Sequence, residues 1–159
     1  MPAPEIRTPA QLYAHAIALE REAAARYAQL SERMAALGDA ALAEVFTMLS
    51  GFEDDHLDTL LRRTDGVAIP DAAAVPWPAG DGPETAAREF DATRATPRTA
   101  LEAALAAERR AQAFFAQVHA TATDPALRAL AQEMEAEEQQ HIALIEREIR
   151  QRAGSTATA

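Results

Sequence analysis

The sequence predicts an all-α protein, an antiparallel bundle of four helices with a long crossover between the second and the third. Three observations lead to it: the composition, the helix boundary signals and the lengths of the connections. Hydrophobic residues make up 48% of the 159 residues but aromatic residues only 5%. Abundant Ala, Leu, Glu and Arg with few β-branched residues favour helix over strand, and the length fits one domain with a sizeable core.

Start signals mark the predicted helices. Thr8 and Pro9 open the first, because Thr is a good N-cap and Pro fits the first helical position. The same pair of signals recurs as Thr96 with Pro97, and Asp124 with Pro125. We expect helices over residues 9–37, 40–64, 97–121 and 125–152. Together they form a single domain, 1–152, followed by a small, polar tail, 153–159, that we expect to be disordered.

Residues 65–96 are predicted to form the crossover. This stretch is rich in Pro and Gly and far longer than a helical hairpin needs. A short helix is expected within it, around Glu84 to Asp91. Connections that are short, long and short imply two antiparallel hairpins joined by a segment that crosses the length of the bundle.

Charge and composition exclude several classes of protein. The formal net charge of −10 argues against nucleic acids and anionic membranes as partners and favours the attraction of cations. The absence of cysteine excludes disulfides, cysteine-ligated iron–sulfur clusters and thiol chemistry. We see no signal peptide and no apolar run that approaches about 20 residues, and we expect a cytoplasmic protein.

An internal repeat carries the functional argument. Residues 20–30 read EREAAARYAQL, and residues 108–118 read ERRAQAFFAQV. The predicted second helix contains Glu53 and His56, and the fourth contains Glu138 and His141. Each half of the chain therefore pairs one helix carrying a Glu with one helix carrying Glu-x-x-His.

Helical spacing predicts that these side chains point inward. Residues three apart lie on one face of a helix, so Glu53 and His56 project together, as do Glu138 and His141. Apolar residues at helical spacing flank each candidate. Around Glu53 they are Val45, Met48, Leu49, Phe52 and Leu60. An inward carboxylate is costly unless it is paired or bound to metal.

The inward-facing set therefore predicts a metal site. Its candidate ligands are Glu20, Glu53, His56, Glu108, Glu138 and His141. Carboxylate and imidazole suit iron and manganese, and this arrangement is that of the di-iron and di-manganese carboxylate bundles. We expect two iron ions, with manganese or a mixed pair as the alternative. The opposing interpretation is a solvated charged face, which we expect for Glu22, Glu102, Glu135, Glu137 and Glu146.

Three further residues have weaker interpretations. Tyr27 lies two turns beyond Glu20 on the same face. One interpretation is functional: Tyr27 hydrogen-bonds a ligand carboxylate or serves as a redox neighbour of the site. The other is structural: Tyr27 is a core aromatic residue whose hydroxyl has a hydrogen-bond partner. His15 falls off the ligand face and is expected to be exposed. Trp77, which lies between two prolines, is expected to anchor the crossover.

From about Gln11 to Gln151 the chain resembles a rubrerythrin-type member of the ferritin-like superfamily, including the spacing of Glu20 and Tyr27. The resemblance implies a non-haem di-iron centre that reduces hydrogen peroxide or reacts with dioxygen, held by the six candidate ligands. Two departures matter. The cysteine-bearing rubredoxin domain is absent, which implies a separate electron-donor protein. Ala111 stands where rubrerythrins have an extra carboxylate, which brings the site closer to a ferroxidase.

Three functions follow as hypotheses. The first is a di-iron oxidoreductase, an enzyme of the peroxidase or oxidase type. The second is a ferroxidase that oxidises and sequesters ferrous iron. The third is a metal-free helical interaction module. Helical bundles of this kind often pair, so we expect a homodimer.

Overall fold

The computed structural model describes residues 5–75, 77 and 90–158. Within them lie four α-helices, α1 (Pro9–Ala36), α2 (Ala40–Arg63), α3 (Pro97–Thr121) and α4 (Pro125–Thr158), and no strand. The predicted all-α class is therefore confirmed. Two short 3₁₀ turns, Ala72–Ala74 and Ala92–Arg94, belong to the crossover. Most of the short helix expected around residues 84–91 lies outside the described residues.

Local sequence explains where the helices begin and end. Thr8 caps α1 by accepting a hydrogen bond from the backbone N–H of Gln11, whose side chain bonds back to Thr8. Asp39 caps α2, and Thr96 caps α3. Gly38 follows α1 with a φ of +82°, a left-handed conformation that suits glycine and stops the helix.

The fourth helix is longer than predicted. It continues to Thr158, beyond the predicted end at residue 152, and the expected disorder of residues 153–159 stays a prediction. Arg152 forms a two-point ion pair with Asp39, with nitrogen–oxygen distances of 2.9 and 3.0 Å. This pair joins the late part of α4 to the N-terminus of α2, an interaction with a residue distant in the sequence that local composition does not reveal.

The helices pack as two hairpins, α1 mainly on α2 and α3 mainly on α4. Two apolar clusters fill the interior at opposite ends. The Phe115 cluster is built on Leu12, Leu60, Phe114, Phe115, Leu127 and Met134. The Phe46 cluster is built on Tyr27, Leu30, Leu42, Phe46, Leu101 and Ile145. Each cluster draws on all four helices, and the middle segments of the helices separate them.

Two sequence-based expectations about exposure are wrong. Met48 and Phe52, predicted to face inward, are 42% and 39% exposed, because both lie outside the buried face of α2 that Phe46, Leu49 and Glu53 define. His15, predicted to be exposed, is fully buried. The crossover covers it, since the Trp77 ring stacks on the imidazole at a centroid distance of 3.7 Å. Trp77 therefore anchors the crossover to α1, as predicted.

Hydropathy places one limit on the fold. None of the helices in the described residues combines the length and the apolar character needed to cross a lipid bilayer.

Candidate metal centre

A polar layer lies between the two apolar clusters, and all four helices contribute to it. It contains the six candidate ligands Glu20 from α1, Glu53 and His56 from α2, Glu108 from α3, and Glu138 and His141 from α4. Five of the six are almost fully buried, and His56 is half-buried. Their positions follow from local structure, because each lies mid-helix on the face directed at the bundle interior.

We call Glu53, Glu108 and His141 the inner cluster. Nδ1 of His141 lies 3.0 Å from Oε1 of Glu53 and 3.7 Å from Oε2 of Glu108. Side-chain exposure is 5% or less for all three residues. One ligand atom from each lies within 4.8 Å of the other two, so the three could hold one metal ion.

We call Glu20, His56 and Glu137 the outer cluster. Nδ1 of His56 lies 3.6 Å from Oε2 of Glu20 and 3.4 Å from Oε2 of Glu137. Their ligand atoms also lie within 4.8 Å of one another. Glu137, predicted to be part of a solvated face, instead contacts His56. The available signal was its spacing, since Glu137 lies four residues before His141 and shares a helix face with it.

The two clusters adjoin. The imidazoles of His56 and His141 stack with centroids 5.4 Å apart and planes 13° from parallel. The carboxyl of Glu53 also contacts that of Glu20. Glu138 contacts Glu108 in the same way. The structure thus brings all six candidates into one continuous group and adds Glu137 to it.

Burial controls the protonation of most of the carboxyls. Removal from water disfavours a charged carboxylate, and it raises the pKa of Glu20 to about 7. Burial also raises the pKa values of Glu53 and Glu138 well above their usual range, and the neighbouring carboxyls add to the effect. Without metal, burial therefore favours the protonated form of these carboxyls.

Glu108 is the charged member of the layer. Burial would raise its pKa, but contacts with Glu138 and His141 and the hydroxyl of Tyr27 lower it to about 2. Burial likewise opposes the charge on His141, yet Glu108 and Glu53 raise the pKa of that imidazole to about 10. A buried carboxylate and a buried imidazolium therefore compensate each other in the metal-free protein.

Tyr27 donates a hydrogen bond from its hydroxyl to Oε1 of Glu108. The side chain is fully buried in the Phe46 cluster, so its apolar ring packs in the core while its hydroxyl reaches the polar layer. Burial, and then the charge of Glu108, raise the pKa of Tyr27 well above its usual value. The hydroxyl is therefore neutral and serves as a donor to the carboxylate.

The donor set fits metal ions. Several buried atoms lack a well-aligned hydrogen bond among the described residues: both carboxyl oxygens of Glu20, Oε1 of Glu53, and Nδ1 of His56 and His141. Buried polar atoms that lack a well-formed hydrogen bond are rare and need an explanation. Metal coordination supplies one, because carboxylate and neutral imidazole together suit iron and manganese.

A small cavity of about 30 Å³ lies beside the carboxyls, between α1 and α3. Glu20, Glu53, Glu108 and Glu138 line its polar side. Ala23, Ala107 and Ala111 line it as well, so small side chains leave space next to the candidate ligands. About 10–15 Å³ is enough for one water molecule, and this cavity therefore admits only small molecules.

Comparison with known proteins identifies the class of fold. Residues 14–153 match the ferritin-like domain family, so the chain belongs to the ferritin-like family. This family includes di-iron proteins, and the carboxylate and imidazole group described above is compatible with a site for two metal ions.

A solved structure resembles the chain over most of its length. It is the crystal structure of an uncharacterised conserved protein from Magnetospirillum magnetotacticum MS-1, with 31% sequence identity and a TM-score of 0.75. The match covers 91% of this chain and 95% of that protein. No curated protein matches the sequence significantly. These matches therefore show that the chain belongs to the ferritin-like family. They do not distinguish a rubrerythrin-type member from other members of that family.

Proposed function

We propose that the protein binds two iron ions in the polar layer and works as an oxidoreductase that reduces hydrogen peroxide or reacts with dioxygen. Electrons would come from a separate donor protein, since the chain has no cysteine for a cluster or rubredoxin site of its own. Manganese, or one ion of each metal, is the alternative occupant.

The observation that carries the proposal is the burial of four carboxyls around two Nδ1 atoms. Glu20, Glu53, Glu108 and Glu138 are each at most 4% exposed. Such groups cost free energy unless they are paired or coordinated. Apolar side chains of similar size would make a more stable bundle, so the layer indicates selection for binding.

The side chains of the polar layer have different roles in the proposed function. His56 and His141 would each hold one ion, and the buried carboxylates would balance the charge. A bound pair of ferrous ions would supply two electrons, one per ion. Two electrons and two protons convert one hydrogen peroxide to two water molecules. Tyr27 holds Glu108 in place through its hydrogen bond. The alanines beside the cavity leave room for a small oxidant.

Metal content and turnover test this proposal. Protein loaded anaerobically with ferrous iron is expected to hold about two ions per chain and to consume peroxide repeatedly when a small redox protein and its reductase are supplied. Glu53→Ala and His141→Ala should each lose most of the iron, whereas Glu102→Ala, at an exposed ion pair with Arg98, should keep it. Full iron retention in both site variants would contradict the assignment.

A second candidate is a ferroxidase that oxidises and sequesters iron. Ala111 favours it, because this residue lines the cavity where the rubrerythrin-type resemblance expects an extra carboxylate. The same experiment separates the two functions. Sustained peroxide consumption that depends on the reductase supports the oxidoreductase, and accumulation of ferric mineral without turnover supports the ferroxidase. The metal-free interaction module requires that no metal binds and that a chelator leaves the melting temperature unchanged.

The setting of the protein completes the proposal. We propose a cytoplasmic homodimer whose partners are the small oxidant and the donor protein, with no nucleic acid or membrane among them. The net charge of −10 supports the exclusion of polyanionic partners. Sedimentation equilibrium tests the dimer, and a mass equal to one chain would contradict it.

A further inference from the structure

We propose that Glu137 is a seventh metal ligand, which completes the outer cluster with Glu20 and His56 as a binding site for a divalent cation such as Fe²⁺ or Mn²⁺. The inference rests on the proposed function, since it concerns how one of the two ions is held. It adds a residue that the Glu-x-x-His pattern does not contain.

The ligand atoms of the outer cluster lie close together. Oε2 of Glu137 lies 3.4 Å from Nδ1 of His56, slightly nearer than Oε2 of Glu20 at 3.6 Å. One ligand atom from each of the three side chains falls within 4.8 Å of the others. Both oxygens of Glu20 and Nδ1 of His56 are buried without a well-aligned hydrogen bond in the described residues. An ion placed among them would satisfy all three groups.

Charge pairing distinguishes Glu137 from its neighbour on α4. Within the described part of the chain, no arginine forms an ion pair with Glu137. Its neighbour Glu133, one turn earlier on α4, is already paired with Arg63 at 2.8 Å. The side chain of Glu137 is only 24% exposed. Its carboxylate is thus half-buried, aimed at an imidazole, and left without an arginine to balance its charge.

Glu137 also makes the two clusters alike in their ligands. Glu53, Glu108 and His141 give the inner cluster two carboxylates and one imidazole. With Glu137, the outer cluster has the same set. Without it, the outer ion would have only Glu20 and His56 to itself, and Ala111 offers no carboxylate from α3. With Glu137, each cluster has two carboxylates of its own, and Glu138, which contacts Glu108, is the fifth carboxyl of the layer.

Exposure predicts how the two sites differ. His56 and Glu137 are 26% and 24% exposed, whereas no side chain of the inner cluster exceeds 5%. Water can reach the outer ligands and compete for the ion. We therefore expect the outer site to bind metal more weakly and to exchange it faster than the inner site, so that metal enters and leaves through it.

Anaerobic Mn²⁺ titration of the full chain tests the inference, with free Mn²⁺ followed by electron paramagnetic resonance. The wild-type protein is expected to bind two ions in two steps. Glu137→Gln keeps the shape of the side chain and removes its charge, and it should weaken the second step at least tenfold while leaving the first unchanged. Glu135→Gln is the matched control, since Glu135 lies on the same helix but contacts His119 at 2.9 Å.

The outcomes separate the inference from the proposed function. Two unaltered steps in Glu137→Gln, with circular dichroism like that of wild type, would overturn the role of Glu137 and leave the two-ion site standing. Equal weakening in Glu135→Gln would also overturn it, because the effect would then come from general surface charge. If the wild-type protein binds no Mn²⁺ or Fe²⁺ at all, the proposed function itself fails.

Discussion

The hydroxyl of Tyr27 on α1 donates a hydrogen bond to Oε1 of Glu108 on α3, although 81 positions separate the two residues. This bond links one apolar cluster to the polar layer. It also connects the two helical hairpins, since α1 belongs to one and α3 to the other. Glu108 keeps its charge in a buried setting because Tyr27, His141 and Glu138 surround it.

We expect Tyr27→Phe to lower the free energy of unfolding of the metal-free protein by about 1–3 kcal/mol, because a buried carboxylate loses a donor. Urea denaturation followed by circular dichroism measures this. Tyr13→Phe is the control, because Tyr13 is only half-buried, and its effect should stay within about 0.5 kcal/mol. If both variants lost the same free energy of unfolding, the hydrogen bond to Glu108 would not contribute to stability in the way argued here.

The cost of the buried carboxyls predicts a conflict between stability and binding. Glu20→Gln removes a group whose ionisation is opposed by burial. In the presence of a chelator at pH 8, we expect this variant to be more stable than wild type by roughly 1–3 kcal/mol, and to bind metal more weakly. Thermal unfolding with and without metal measures both effects. The exposed Glu102→Gln should change neither, and a destabilised Glu20→Gln would contradict the argument.

The metal-free protein should lose stability as the pH rises from about 5 to 9. The pKa of Glu20 is raised from 4.5 to about 7, so its contribution is complete below pH 4.5 and lost as the pH rises through 7. The pKa of His141 is raised from 6.5 to about 10, so its contribution is lost between those values. Glu108, with its pKa lowered to about 2, contributes equally throughout this range. Melting temperatures measured in chelator should therefore fall with pH, and a rise would refute the assignment.

Metal binding should show the opposite pH dependence. Coordination requires a neutral imidazole and ionised carboxyls. The pKa of His141 is raised to about 10, so its imidazole holds a proton near neutral pH, and burial favours the protonated form of Glu53 in the metal-free protein. Metal binding must therefore release protons. We expect Mn²⁺ affinity to increase from pH 6 to pH 8. Calorimetry in buffers of different ionisation enthalpy should detect more than one proton released per chain, and buffer-independent heats would contradict the protonation described here.

The aromatic stack on α1 makes a separate stability prediction. Trp77 packs on His15 and meets the Phe114 ring edge-on with centroids 4.7 Å apart. Trp77→Ala should cost about 2 kcal/mol or more through lost aromatic packing, whereas Trp77→Phe should recover part of it. Denaturation followed by circular dichroism at 222 nm measures the difference in the free energy of unfolding between the variants. If Trp77→Ala left the free energy of unfolding unchanged, this ring would not anchor the crossover.

Local rules account for the features that could be predicted from sequence. Thr8 and Thr96 cap their helices through bonds to residues three positions away. Glu53 and His56 share a face because three residues make almost one helical turn. These relations involve neighbours in the chain, so the pattern alone predicts them. The internal repeat then identified the layer at which the candidate ligands converge.

The tertiary structure decided the features that depend on how the helices and the crossover pack against one another. It buried His15 under Trp77, left Met48 and Phe52 exposed, and placed Glu137 against His56. It also directed the hydroxyl of Tyr27 to Glu108, while the ring of Tyr27 packs in the core. The periodicity of a helix determines which residues share a face, but not the width of the face that its neighbours cover. Contacts between distant segments settle that width, because burial and charge pairing are properties of the assembled bundle and not of one helix.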